Sequence, residues 1–401
     1  MDDLSVLTDI GDEEYTGEER GAVEAIWSSA LDWYRAGQQP ALQVCVRRDG
    51  RVLLNRAVGH AWGGGPADPP DAEQIPVTVD TPYCCYSAGK GLAAAIVLHL
   101  VERGVWRLDD RVTDFLPEYG AHGKGRTTID HVLTHRAGVP LLTGPKPDPR
   151  RMRESEYARN MLRELRPIYP PGTLHMYHGL TWGPLVRELV AAATGRSIRD
   201  IAAREFLDPF GFRWNNFGVD DEDVPLVAPS HVTGHASSGL MDSVFRKAVG
   251  GTMADIIPIS NSREYLTDVV PSSNLVSTAF ELSRFAEFLR RGGELDGHRV
   301  LDPSTIPDAT RQRRRLRPDV ATGGAPLRWG TGFMLGAKRS GPFGADSEHA
   351  FGNTGLTQIV TWADPSRRLA VGIVSSGKPV SGDDPKRYAA LTSTINRALR
   401  S

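Results

Sequence analysis

A chain of 401 residues fits one large domain or two interleaved ones. Its composition, 40% hydrophobic and 24% charged, is that of an ordinary soluble globular protein. A formal net charge of −2 gives no electrostatic reason to expect nucleic acid or an anionic membrane as partner. Three cysteines, Cys45, Cys84 and Cys85, cannot build a disulfide framework and have no metal-ligand spacing around them. They read as small buried thiols, and no metal or cofactor is called for. The N-terminal stretch through Glu19 and Arg20 is acidic and lacks a basic segment followed by an apolar run. The longest apolar runs are too short for a membrane span, so a cytoplasmic location is expected.

In chain order, Glu18 to Arg35 carries Val23, Ile26, Trp27, Leu31 and Tyr34 at the spacing of an amphipathic helix. Ala41–Val46 and Arg51–Gly59, on either side of Asp49-Gly50, predict a β-hairpin. A Gly-, Pro- and Asp-rich loop from Trp62 to Thr81 leads to a helix expected to start at Ser87 and to end near Arg103-Gly104. Short helices joined by loops follow, with helical periodicity over Glu154–Leu165, Thr181–Thr194 and Ser197–Leu207. Residues 215–270 show little periodicity and read as a long loop-rich excursion, of the kind that often borders binding sites. Ser277 to Arg290 is again helical, through Phe280, Leu282, Phe285, Phe288 and Leu289.

The remainder is strand-like: Trp329–Leu335, Leu356–Trp362 and Leu369–Val374, with a turn at Asp364-Pro365-Ser366, before a last helix over about Pro385–Leu399. The class is therefore α+β, an antiparallel sheet flanked by terminal helices with an inserted all-α domain. Residues 1–85 and 275–401 are assigned to the sheet domain, and 86–274 to the mainly helical one. A basic run, Arg311, Arg313, Arg314, Arg315 and Arg317, reads as a solvated loop or as a contact for an anionic carrier or substrate.

The candidate chemistry starts at Ser87-Ala88-Gly89-Lys90. On a helix, positions i and i+3 share a face, which brings Ser87 Oγ and Lys90 Nζ within reach of each other. A helix start also offers free N–H groups and a dipole that favours developing negative charge. Hydroxyl, amine and electropositive backbone together suit serine acyl transfer. No Gly-x-Ser-x-Gly elbow competes with this site.

Further motifs follow in order: Leu133-Thr134-His135-Arg136-Ala137-Gly138, then Pro171-Gly172-Thr173 with Tyr177-His178-Gly179, then Asn353-Thr354-Gly355, then Trp362-Ala363-Asp364-Pro365. Their order resembles the serine β-lactamase and penicillin-binding-protein superfamily, in the class C-like branch that includes the family VIII carboxylesterases. The resemblance spans about Ala41 to Val374 and implies a β-lactamase/transpeptidase-like fold. It implies Ser87 as nucleophile, Lys90 as its base and Tyr177 as a second proton carrier. It also implies an oxyanion hole from the backbone N–H groups of Ser87 and Leu356, and substrate contacts from His178, Asn353, Thr354 and Gly355. His135 is expected to be a structural hydrogen-bonder.

Two departures narrow this expectation. The family's Tyr-x-Asn is here Tyr177-His178-Gly179, and the Lys or His of its third motif is Asn353. Losing the amide and the cation weakens recognition of penicillins and D-Ala-D-Ala peptides. The expected function is therefore a serine esterase cleaving a small-molecule acyl ester through an acyl-enzyme. Acyl transfer to an alcohol or amine acceptor, a β-lactamase, and a binding protein retired from catalysis stay open at this point.

Overall fold

The computed structural model describes residues 4–143, 148, 151–234, 246, 250–312, 319, 327–379 and 382–400. Its central feature is an antiparallel sheet built from both chain ends. The strands are β1 (Thr8–Ile10), β2 (Ala41–Arg48), β3 (Arg51–Trp62), β4 (Arg328–Trp329), β5 (Met334–Leu335), β6 (Phe351–Gly355), β7 (Ile359–Asp364) and β8 (Leu369–Ser375). Their order is β1-β3-β2-β8-β7-β6-β5-β4, and Ile75–Pro76 adds to β3.

The predicted hairpin forms, with Arg48 opposite Arg51. Both turn residues, Asp49 and Gly50, have positive φ (52° and 84°), the geometry that matches strand twist in a two-residue hairpin. Leu356–Gln358, read as the start of a strand, forms a turn instead. Gly355 pairs with Ile359, and three residues must reverse the chain between β6 and β7, with Gln358 at φ 51°.

Strand alternation divides the sheet between two apolar layers. Leu42, Val44 and Val46 of β2 face α1 (Arg20–Arg35) and the last helix, α6 (Asp384–Ala398), in a core with Val23, Trp33, Leu391 and Ile395. Trp33 Nε1 donates to Asp384 Oδ1 at 2.7 Å, which ties the two terminal helices together. The intervening residues of β2 face α5 (Ala279–Arg290) on the opposite side. Gln43 Oε1 accepts the Ala279 N–H (3.0 Å), and Ser283 Oγ lies 3.1 Å from Cys45 Sγ. Gly372 of β8 has no room for a side chain, because a Cβ would lie 2.2 Å from Ala279 O. The fold is the expected α+β arrangement of terminal helices, antiparallel sheet and a helical layer.

The helix after the candidate nucleophile is α2 (Lys90–Glu102), Ala- and Leu-rich and buried on all sides except its last turn. It stops at Gly104, whose φ of 69° gives the left-handed terminus. Ser87 precedes this helix, in a separate 3₁₀ turn over Tyr86–Gly89. The stretch read as loop-rich holds a helix, α4 (Met253–Ser260), and a short one over Arg263–Leu266. Pro258 inside α4 and the exposed Ile259 blur its period. Residues 235–245 and 247–249 of that stretch, and 313–318 of the basic run, lie outside the described residues. Arg311 pairs with Asp308 at 2.8 Å. Among the described residues no helix is long and apolar enough to cross a membrane.

Candidate active site

The 3₁₀ turn is held in a conformation that an L-residue seldom adopts. Tyr86 has φ 49°, and its phenol is hydrogen-bonded to Ser260 Oγ at 2.8 Å. A buried lysine, Lys378, places its Nζ 5.4 Å from the Tyr86 ring centroid. Fixed this way, the turn leaves the Ser87 N–H without an intrahelical carbonyl. No other acceptor takes it among the described residues. The neighbouring thiols are buried and unpaired, and burial pushes Cys84 up to about 11 and Cys85 higher still, so neither is a thiolate near neutral pH.

Ser87 Oγ donates to Ser272 O at 2.9 Å and lies 3.0 Å from Lys90 Nζ. Lys90 is 1% exposed. Its Nζ donates to Ser272 O (2.8 Å) and Gly179 O (3.1 Å), beneath the rings of Tyr177 (5.0 Å) and Trp182 (5.7 Å). Burial holds its pKa well below the ordinary lysine value. The third position of the tyrosine motif, Gly179, thus meets the lysine through its backbone carbonyl. Trp182 opens α3 (Trp182–Thr194) and donates its indole N–H to Val132 O at 2.9 Å.

Tyr177 sits on a loop that is tied down at several points. Its N–H donates to Asp319 Oδ2 (2.9 Å), and His175 Nε2 lies 3.3 Å from the same oxygen. Its ring stacks on Trp329 at 5.8 Å between centroids. Burial pushes its phenol up to about 12, an effect partly offset by a hydrogen bond with Ser87. His135 accepts the His178 N–H on Nδ1 (3.2 Å), and burial, with His178, His175 and Lys90 nearby, drives its pKa far down. His178 donates from Nδ1 to Met176 O (2.7 Å) and accepts the Val139 N–H on Nε2 (3.1 Å). Its pKa falls to about 3, chiefly through burial. Both histidines are neutral braces of the tyrosine loop.

The third motif lies on β6 against the nucleophile turn. Gly355 has no space for a Cβ, which would stand 2.2 Å from Cys85 O, and this close approach sets the end of β6 against the nucleophile turn. Gly355→Ala must push β6 away from the turn. It should lower stability by about 1–3 kcal/mol in urea unfolding, and ester turnover should fall with it. Thr354 Oγ1 contacts Met334 Sδ at 3.5 Å. Asn353 is buried, its Nδ2 3.4 Å from Gly332 O, and its Oδ1 occupies the place a side chain on Gly91 would need.

Ser87, Lys90 and Tyr177 therefore converge, with β6 alongside, while both ring nitrogens of His178 are taken by backbone groups and Asn353 keeps a buried Oδ1 without a hydrogen-bond partner among the described residues. Residues with no sequence signal complete the site: the carbonyls of Ser272 and Gly179, and Asp319 under the tyrosine loop. A hydroxyl against an amine whose pKa is lowered by burial, a protonated phenol and a free amide suits nucleophilic acyl chemistry.

The beta-lactamase family profile matches residues 22–394. The chain belongs to the beta-lactamase family. It is 27% identical over 314 residues to the esterase/beta-lactamase LipL of Mycobacterium tuberculosis, covering 75% of this chain and 70% of that one. It is also 27% identical over 335 residues to the esterase EstB of Burkholderia gladioli, covering 78% of each. The crystal structure of a penicillin-binding protein homolog from Caulobacter crescentus superposes with a TM-score of 0.79 at 24% identity, covering 97% of this chain and all of the other. This beta-lactamase-family protein is an enzyme, a serine hydrolase of the esterase/β-lactamase kind.

Proposed function

We propose that this enzyme is a carboxylesterase that cleaves small acyl esters through an acyl-enzyme on Ser87. The observation that carries the reading is the desolvated Lys90 Nζ 3.0 Å from Ser87 Oγ. A neutral amine has two N–H groups and one lone pair. Carbonyls of Ser272 and Gly179 take the two N–H groups, which leaves the lone pair free to accept the Ser87 proton once the hydroxyl turns from Ser272 O toward the amine. Tyr177, with its phenol raised to about 12, stays protonated at neutral pH and hands a proton to the departing alcohol. The tetrahedral oxyanion is received by the N–H groups of Ser87 and Leu356, and water then repeats the cycle on the acyl-enzyme.

Among the substrate-contact candidates, Thr354 and Gly355 border the turn and take that role. Asn353 supplies no cation for a substrate carboxylate, so esters are favoured over β-lactams. The name of the esterase EstB agrees with this choice, and that of LipL carries esterase beside beta-lactamase.

Brief incubation with p-nitrophenyl butyrate, followed by intact-mass spectrometry, tests it. One butyryl adduct on Ser87 with steady release of nitrophenol is expected. No adduct and no turnover, or nitrocefin turned over faster than the ester, would sink the reading.

A further inference from the structure

We propose that Lys378 is a positioning residue for the reaction: its buried amine ties the Tyr86–Ser87 turn to the turn that carries Leu356, and so sets the spacing of the two oxyanion donors. The inference rests on the esterase reading and assigns a residue outside the Ser87, Lys90 and Tyr177 set to the same step.

Lys378 lies just past the end of β8 and is 0% exposed. Its backbone is fixed: the Gly377 N–H donates to Gln39 Oε1 (2.9 Å) and the Lys378 N–H to His231 O (2.8 Å). From that base the side chain reaches two places. Its Nζ donates to Ser375 O and stands 5.4 Å from the centroid of the Tyr86 ring. Ser375 in turn donates from Oγ to Thr357 O at 3.1 Å, within the Leu356–Gln358 turn. Tyr86 directly precedes Ser87, and Leu356 directly precedes Thr357. One amine is thus linked to the residue next to each oxyanion donor.

Packing alone does not call for a lysine here, since a methionine would fill similar space without desolvating an amine. Burial lowers the pKa of Lys378 to about 7, against the opposing pull of Cys85, Cys84 and Asp384. Its hydrogen-bond acceptor is a carbonyl, while Asp384 Oδ1 is taken by Trp33 Nε1 (2.7 Å) and Gln39 Nε2 (2.9 Å). What the amine supplies is a grip on a strained residue. Tyr86, at φ 49°, holds a conformation that persists only where its surroundings fix it. The ammonium over its ring adds a cation–π attraction to the hydrogen bond with Ser260. An oxyanion is stabilised only when its N–H donors stand about 2.7–3.1 Å from it, and the two donors here belong to different elements of the chain. A tie between those elements therefore acts on the transition state and leaves the bound ester alone.

Lys378→Met removes the tie and keeps most of the volume. Its kcat for p-nitrophenyl butyrate, counted per site labelled by a fluorophosphonate, should fall by about tenfold, with KM within about twofold of wild type. Ser375→Ala cuts the link to Thr357 O and should lower kcat in the same way by at least about threefold. Because both changes break one tie, the double variant should lose little more than Lys378→Met alone. Stability separates positioning from plain packing. Folding desolvates the Lys378 amine in the wild type, a penalty that is full below its lowered pKa and absent from the variant. The urea midpoint of Lys378→Met at about pH 6 should therefore not fall. A Lys378→Met protein with wild-type kcat, single losses that multiply in the double variant, or a midpoint that drops together with turnover overturns the positioning role while leaving an esterase. No turnover of any ester by the wild type overturns the esterase reading itself, and the positioning role with it.

Discussion

Ser87→Ala is expected to lose ester turnover by at least about 10⁴-fold, because removal of a serine nucleophile leaves only binding and oxyanion stabilisation. The neighbourhood offers no substitute. Cys84 and Cys85 are adjacent in sequence, but both thiols are buried and raised, with Cys85 held in contacts to backbone carbonyls of Tyr83 and Ser277. Burial holds Tyr177 protonated, and Lys90 is buried with its amine on the carbonyls of Ser272 and Gly179. The substitution should leave the fold alone. It removes one hydroxyl donor to Ser272 O, an acceptor that Lys90 also serves, so urea unfolding should shift by no more than about 1 kcal/mol. A purified Ser87→Ala protein that keeps a tenth of the wild-type rate would place the nucleophile elsewhere. A protein that unfolds would show that the hydroxyl is structural.

Side chains that act through their own chemistry were legible in the sequence, and groups that act through the backbone were not. Ser87, Lys90 and Tyr177 have residue types that announce proton and acyl transfer, and the structure brings these three together. The carbonyls of Gly179 and Ser272 carry no such signature, since any residue presents one. The Gly179 position has no polar side chain to mark it, yet its carbonyl holds Lys90. His178 and Asn353 were misleading for the opposite reason. Their side chains are polar and sit inside the right motifs, yet backbone groups take both ring nitrogens of His178, and Asn353 is buried with its Nδ2 3.4 Å from Gly332 O.

In the fold, the hairpin and the amphipathic helices followed from periodicity and turn chemistry alone. The short strands β4 and β5, and the helix α4 interrupted by Pro258, are set by tertiary packing, which a local pattern does not record. Asp319 belongs to the same class. Its value lies in meeting the Tyr177 N–H across 142 positions of sequence.

Lys90→Met should separate the amine's chemical role from its structural one. The thioether roughly fills the volume of the lysine stem but cannot take a proton, so turnover should fall by about 10²–10⁴-fold. In the wild-type enzyme, activity should rise with pH as Lys90 loses its proton, along a limb well below the ordinary lysine value of 10.5. Stability supplies an independent readout. Burial lowers the pKa of Lys90 in the folded chain, so below 10.5 the unfolded chain binds more protons than the folded one. The resulting penalty on the folded wild-type chain is full below the lowered pKa, shrinks as pH rises, and vanishes above the unfolded value. Wild type should therefore gain stability relative to Lys90→Met as pH rises from the lowered pKa toward 10.5, while every other titrating group cancels in the difference. The carbonyls of Ser272 and Gly179, left without their amine donor in the variant, add a cost of about 1–3 kcal/mol each that does not change with pH. The slope of the stability difference, and not its size, thus reports the desolvated amine. A flat difference together with retained turnover would mean that Lys90 is an ordinary ammonium neutralised by its carbonyl cage, and that the proton of Ser87 leaves by another route.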